Sequence, residues 1–320
     1  EIPSRLVGSE MCIRDRRGHL FYVDFPDHLQ ALFEQGYRAR QQGYRGRFAP
    51  TPSGPLHLGN LRTALISWLH AHLQGGEWLL RIDDLDTPRI RAGAIASAQE
   101  DLRWLGLLWD GPVLIQSQRR GLYGSVLSAL RRAELLYPCR CSRRQLGPGR
   151  RYPGTCRHQF RGWDSQNGRL PSWRLKVLAA DETQCGDLVL RRADGFIAYH
   201  LATAVDELAL GITDVVRGDD LAPVCRAQRA VIAVLDQSPP RYQHVPLLCD
   251  AEGQKLSKRE HAQGLAPLRD QGWTAEQVLG RLAASLTLVP EGCALSATEL
   301  LEHLRQQPRL LQHCIQSLDS

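Results

Sequence analysis

The sequence predicts an α/β fold built on a doubly wound, mostly parallel sheet, with a cysteine-bearing insertion and a short helical C-terminal region. Two observations predict it. Short apolar runs alternate with helical periodicity from Arg45 onward, and the alternation lapses into an Arg-, Gly- and Pro-rich stretch between Leu136 and about Leu188 before it resumes. No run approaches the roughly 18 apolar residues of a membrane span, so a membrane protein is not expected. A chain of 320 residues suggests about two domains. The formal charge of +6 suits a polyanionic partner, and equally a plain basic enzyme. The nine cysteines are an odd number and mostly scattered, which does not suggest a disulfide framework. With no apolar signal core near the N-terminus, the expected compartment is the cytoplasm.

Residues 1–43 read as an N-terminal extension detached from the rest of the chain. The string "LVGSEMCIRDR" resembles translated adapter or read-through sequence, and it is left out of the fold. Asp27 to Arg40 has Leu29, Leu32 and Phe33 on one helical face. The first half of the core, 44–135, opens with "RGRFA" as a strand. A broken loop, a helix from about Leu58 to Leu73, a Gly75-Gly76 stop and the strand "EWLLRID" come next. A further helix runs from about Gly93 to Leu105. The insertion occupies 136–188. The second half, 189–262, reads as strand "DLVLRR", a turn at Asp194-Gly195, and "FIAYHLATAVDEL" passing from strand into helix. Strand "ITDVVRG", helix "PVCRAQRAVIAVL" and strand "RYQHVPLLCD" complete it. Residues 263–320 are helical in character, with Trp273, Val278 and Leu282 as a buried stripe.

Two stretches carry chemistry. "APTPSGPLHLGN", Ala49 to Asn60, breaks the backbone repeatedly just before a helix, which suits close approach of an anion to the unpaired N–H groups at the helix start. An ordinary loop is the alternative. "KLSKR", Lys255 to Arg259, sets two ammonium groups on one loop, where both reach one polyphosphate; its alternative is a solvated basic loop. In a parallel sheet, loops that leave strand carboxyl ends share one rim, so the first loop and "RIDDLD" are expected together.

"PSGPLHLGN" resembles the HIGH motif and "KLSKR" the KMSKS motif of class I aminoacyl-tRNA synthetases. "GRFAPTPSGPLHLGNLRTAL", "LLRIDDLDTPR", "LWDGP", "AYHLATAVDELALGITDVVRGDDL" and "PLLCDAEGQKLSKREHA" are similar to the glutamyl branch, in order from about Tyr44 to Ala262. The resemblance implies a Rossmann-type core that activates glutamate with ATP and Mg²⁺ as an adenylate. The substrate carboxylate is then the nucleophile, so the protein supplies positioning and charge. It further implies catalytic roles for His57, Lys255 and Lys258, and an ATP site of Pro50, His57, Gly59, Asn60 and Lys258. Asn60 stands where the motif has its second His.

The glutamate site implied is Arg47, Phe48, Ala49, Pro50, Thr51, Asp83, Tyr199 and Arg217. Planar guanidinium forks suit its carboxylates. Asp83 replaces the family's glutamate and is one methylene shorter, so a water-bridged contact to the ammonium is an alternative to a direct one. The ordinary alternatives are a surface arginine at Arg47, core packing at Tyr199, and an ion pair of Arg217 with Asp219 or Asp220.

In the insertion, Cys139, Cys141 and Cys156 suggest a four-coordinate Zn²⁺. Donor chemistry favours His158 as the fourth ligand, whereas the resemblance implies Tyr152 in a Cys-x-Cys, Tyr-x-x-x-Cys pattern, with His158 as the alternative. That pattern and the short C-terminal region resemble the branch that attaches glutamate to the queuosine base in the anticodon loop of tRNA(Asp). A shortened enzyme acting on tRNA(Glu) and a non-catalytic tRNA- or nucleotide-binding paralogue are the other readings. Arg143, Arg144, Arg150, Arg151, Arg157 and Arg161 are then candidate phosphate contacts, with a solvated basic flap as the alternative, and a monomer is expected.

Overall fold

The computed structural model describes residues 11–14, 20–146, 151–159, 162–166, 168–178, 185–246 and 264–317. The strands in chain order are β1 (Met11–Arg14), β2 (Leu20–Val23), β3 (Arg45–Phe48), β4 (Glu77–Ile82), β5 (Leu114–Ile115), β6 (Leu136–Cys139), β7 (Ser172–Leu175), β8 (Leu188–Arg191), β9 (Asp214–Gly218), β10 (Arg241–Val245) and β11 (Gln316–Ser317). The first helices are α1 (Asp27–Gln42), α2 (Leu58–Leu73), α3 (Ala94–Trp104), α4 (Arg120–Arg132) and α5 (Arg143–Leu146). The chain divides into two compact units: 1–38, 118–211 and 223–239 form one, and 39–117, 212–222 and 240–320 the other.

The second unit holds the parallel sheet. β3 pairs with β4, β4 with β5, and β9 with β10, all parallel. The two sets meet where the Thr213 N–H donates to the Arg45 carbonyl at 2.9 Å and the Arg45 N–H to Thr213 Oγ1 at 2.8 Å. The order is therefore β5-β4-β3-β9-β10, which reverses direction in sequence between β3 and β9. Such a reversal is the place where open α/β sheets bind ligands, beyond the strand carboxyl ends. Helix α2 closes over β3 and β4, burying Leu61, Leu65, Ile66 and Leu69 completely. Each such side chain contributes roughly 1.5–3 kcal/mol. Ser67 Oγ accepts from Trp78 Nε1 at 2.9 Å and donates to the Arg47 carbonyl at 3.3 Å, which locks α2, β3 and β4 into one register.

The C-terminal region has the expected helical character and adds one short strand. Its helices (Ala266–Asp270, Ala275–Ala284, Ala297–Gln306, Arg309–His313) bury Val278 and Leu282, with Trp273 packed partly against the same core. The chain then turns into β11, which pairs antiparallel with β10 and covers an edge that would otherwise present unpaired backbone groups.

In the first unit, β6, β7 and β8 form an antiparallel sheet within and beside the insertion. The expected strand at "FIAYHL" is reduced to one bridge between Arg191 and Ile197, and the helix starts at Tyr199. The N-terminal extension is not detached over its helical part. α1 approaches the helix Tyr199–Ala209 so closely that a Cβ on Gly36 would lie 1.9 Å from the Leu208 carbonyl oxygen. Among the described residues no helix is long and apolar enough to cross a membrane.

Candidate active site

The loop after β3 sits at the reversal of strand order, tied to the loop after β4. The Asp83 N–H donates to the Pro50 carbonyl and the Arg91 N–H to the Pro52 carbonyl, both at 3.0 Å. The prolines thus serve as acceptors at positions that need no N–H of their own. Asp84 holds the other side, accepting from the Ser117 N–H at 2.7 Å and the Ser117 hydroxyl at 2.6 Å.

His57 is the N-cap of α2. Its Nδ1 accepts from the Asn60 N–H at 3.2 Å, while Asn60 Oδ1 accepts from the His57 N–H at 3.4 Å. This reciprocal capping explains asparagine at the motif's last position. With Nδ1 accepting, the proton of the neutral ring belongs on Nε2, leaving that nitrogen a donor. Gly59 makes room for the ring: a Cβ there would lie 3.1 Å from both Cε1 and Nδ1 of His57.

Lys255 and Lys258 lie outside the described residues, but both ends of their segment are anchored in this unit. Before it, the Pro246 carbonyl accepts from Arg62 Nη1 at 2.5 Å, and Arg62 Nη2 also donates to the Ser285 carbonyl at 3.3 Å. After it, Gly264 passes the opening loop so closely that a Cβ would lie 2.8 Å from Pro55 Cβ. Arg62, on α2 with His57, had no signal in the sequence that marked it for this role.

Arg47 on β3 and Arg217 on β9 flank the reversal, and both are buried, 4% and 3% exposed. The surface-arginine alternative for Arg47 is thereby removed. Arg217 lies over the Tyr242 ring, 4.8 Å from its centroid, and beside His244 in the β9–β10 register. Burial first, and then the Arg217 charge, hold His244 below the ordinary histidine range, with Asp219 opposing. Phe48 stacks on Trp78 at 6.1 Å, Pro50 is buried, and Ala49 and Thr51 are half-buried. Asp83 is buried with both oxygens occupied: Arg81 Nε donates to Oδ1 at 2.7 Å and Nη2 to Oδ2 at 3.1 Å. Arg81, itself fully buried, is a residue that sequence reasoning missed. Tyr199 belongs to the first unit, where it opens its helix 37% exposed, which excludes simple core packing.

The cysteine cluster also lies in the first unit. The sulfurs of Cys139, Cys141 and Cys156 are within 4.8 Å of one another and can hold a metal ion. The Tyr152 hydroxyl stands among them, 3.5 Å from Cys139 Sγ and 3.9 Å from Cys141 Sγ, and Cys141 and Cys156 are 3.6 Å apart. Tetrahedral bonds of about 2.3 Å to sulfur and about 2.0 Å to oxygen separate ligand atoms by roughly 3.5–3.8 Å, so the donor set fits. His158 is exposed and outside the cluster. Burial raises the Cys139 thiol, but hydrogen bonds from Tyr152, the Cys141 backbone and Arg174 outweigh it and bring the thiol down to about 7. Burial, and then the hydrogen bond with Cys156, push Cys141 up to about 11. Arg174 lies 3.7 Å over the Tyr152 ring.

Of the candidate phosphate contacts, Arg144 and Arg151 are exposed. Arg157 is turned inward and donates to Asp187 at 2.9 Å, which removes it from the candidate phosphate contacts and from a solvated flap alike. Arg150, Arg161 and the Arg143 side chain lie outside the described residues.

The family model described as tRNA synthetases class I (E and Q), catalytic domain, matches residues 44–165 and 174–291. The chain is 62% identical over 283 residues to a Glutamyl-Q tRNA(Asp) synthetase of Synechococcus sp. (strain CC9605), covering 88% of this chain and 97% of that protein. It is 58% identical over 294 residues to the one of Prochlorococcus marinus (strain MIT 9313), covering 90% and 96%. A solved glutamate tRNA ligase from Elizabethkingia meningosepticum, in complex with its amino acid, is similar with a TM-score of 0.66 and 25% identity; the match covers 81% of this chain and 64% of that one.

Proposed function

Because the chain belongs to the class I tRNA synthetases of the E and Q branch, we propose that it activates L-glutamate with ATP and Mg²⁺ and transfers the glutamyl group to queuosine in the anticodon loop of tRNA(Asp). The observation that carries the reading is the 62% identity to a protein named for that activity, across 97% of its length. A glutamyl-tRNA synthetase-like ligase is the coarser statement, and the family supports it directly.

In this reading the glutamate carboxylate attacks the α-phosphorus of ATP and pyrophosphate leaves. His57 donates from Nε2 to a phosphate oxygen at the start of α2, where the helix dipole also favours negative charge. Lys255 and Lys258 neutralise charge on the departing pyrophosphate; the anchoring of their segment by Arg62 and Pro55 supports that role. Mg²⁺, when bound with the nucleotide, supplies further neutralisation. Arg47 and Arg217 receive the substrate carboxylates. Asp83, already neutralised by Arg81, is a weakened acceptor for the ammonium, which favours contact through water. Cys139, Cys141, Cys156 and Tyr152 hold Zn²⁺, which cross-links the insertion; the crowding of all four donors supports Tyr152 over His158.

The test offers queuosine-containing tRNA(Asp), unmodified tRNA(Asp) and tRNA(Glu) in parallel to the protein with ATP, Mg²⁺ and labelled glutamate. Label only on the queuosine-containing tRNA is expected. Label on tRNA(Glu) would establish a shortened synthetase, and label on none a non-catalytic paralogue.

A further inference from the structure

The first unit carries an aromatic and cationic cluster that the proposed chemistry does not use. Trp163 and Trp173 meet edge to face, with ring centroids 4.9 Å apart. The Arg131 guanidinium lies 4.2 Å from the Trp163 centroid and 5.3 Å from that of Trp173. Arg191, paired with Trp173 in the β7–β8 register, lies 5.1 Å from the same ring. Both indoles are half-buried and Arg131 is exposed. Among the described residues neither Arg131 nor Arg191 has a carboxylate partner. The loop bearing Trp163 is pinned in place: Arg140 donates to the carbonyls of Gly162, at 3.2 Å, and Asp164.

A guanidinium held over an indole has already lost part of the rotamer freedom that a solvated arginine loses on binding. Its outer face stays a planar cation able to stack, and its edge keeps N–H donors for an anion. The matching ligand is planar and anionic at once, which is a nucleotide. Base faces are available in single-stranded loops and covered in a duplex, so the cluster suits a loop. Of the acids on the same segments, Asp164 and Glu134 are exposed to solvent, and Asp194 is paired with Arg192.

We infer that Trp163, Trp173, Arg131 and Arg191 form a contact site for an unpaired RNA nucleotide, with a base stacked on the Arg131–Trp163 pair and phosphate held by the guanidinium edges. The inference rests on the reading of tRNA as substrate and adds a contact surface to it.

The experiment measures binding of a stem-loop RNA with the tRNA(Asp) anticodon sequence, and of its stem duplex alone, to the full chain. The variants are Trp163→Ala, Trp163→Phe, Arg131→Gln, Arg131→Lys and Arg191→Gln, each checked for folding by circular dichroism. Losing one stacked base corresponds to about tenfold weaker binding. That loss is expected for Trp163→Ala and Arg131→Gln, with Trp163→Phe near the parent. Arg131→Lys should lose nearly as much as Arg131→Gln, because lysine keeps the charge and not the plane. Arg191→Gln should weaken binding and flatten its salt dependence. If Arg131→Lys binds like the parent, the surface is a charge patch and the stacking site is overturned. Equal binding of the stem duplex, or variants within twofold of the parent, overturns it as well. A parent that transfers glutamate to tRNA while these variants bind normally sinks only this inference; a parent that binds no RNA and transfers none sinks both.

Discussion

Gly59→Ala separates the chemistry of the site from its stability. The new Cβ would lie 3.1 Å from His57 Cε1 and Nδ1, closer than side-chain carbons ordinarily approach, so the imidazole must swing away by a few tenths of an ångström. That movement breaks the 3.2 Å bond from the Asn60 N–H, a cap worth about 1 kcal/mol. Alanine in place of glycine near a helix start returns up to about 1 kcal/mol in propensity. The two terms offset, and the melting temperature should move little. Activity should not be spared, because swinging the ring re-aims Nε2. A misdirected hydrogen bond to a charged phosphate costs about 1.5–3 kcal/mol, which is roughly a tenfold to hundredfold loss in kcat/KM for ATP. Adenylate formation, followed by release of labelled pyrophosphate, measures the one quantity, and calorimetric melting the other. Unchanged kcat/KM in the folded variant would refute the donor role of His57, as would a loss that simply tracks unfolding.

Three further outcomes are expected. Metal analysis of the purified chain should find about one zinc ion; Tyr152→Phe should weaken its retention against a chelator, whereas His158→Ala should leave it unchanged, and the reverse pattern would restore His158 as the ligand. Burial lifts Asp101 to about 6 despite its 3.0 Å ion pair with Arg269. A carboxyl whose folded pKa is raised binds more protons folded than unfolded, so its contribution declines as pH rises from about 4 to about 6, by about 3 kcal/mol at 1.36 kcal/mol per unit. Asp101→Asn should remove that slope from the pH dependence of urea unfolding, and an unchanged slope would show that the carboxyl titrates normally. Finally, Arg217→Lys should raise KM for glutamate with little change in kcat, because an ammonium cannot make the two-pronged contact; steady-state kinetics at saturating ATP would detect it, and an unaltered KM would move the carboxylate elsewhere.

The sequence by itself determined what depends on near neighbours in the chain. The broken loop before it and the Gly75-Gly76 stop after it placed α2 at the bounds observed, Leu58–Leu73. The βα alternation specified a parallel sheet, and "PSGPLHLGN" with "KLSKR" carried the family. Tertiary structure decided what depends on burial and on residues far apart. Asp83 and Arg81 are two positions apart on the strand and its exit, and only the buried exit of β4 turns them into a bidentate pair. Arg62 reaches Pro246 across 184 residues, and Thr213 finds Arg45 across 168, so no local window contains either contact. In a linear reading donor chemistry favours His158 and the resemblance implies Tyr152; folding buries the phenol among the thiols and leaves the imidazole in solvent. Local propensity acts over a few residues, whereas a site at a reversal of strand order is assembled by the hydrogen bonds and buried surfaces that join separate βα units.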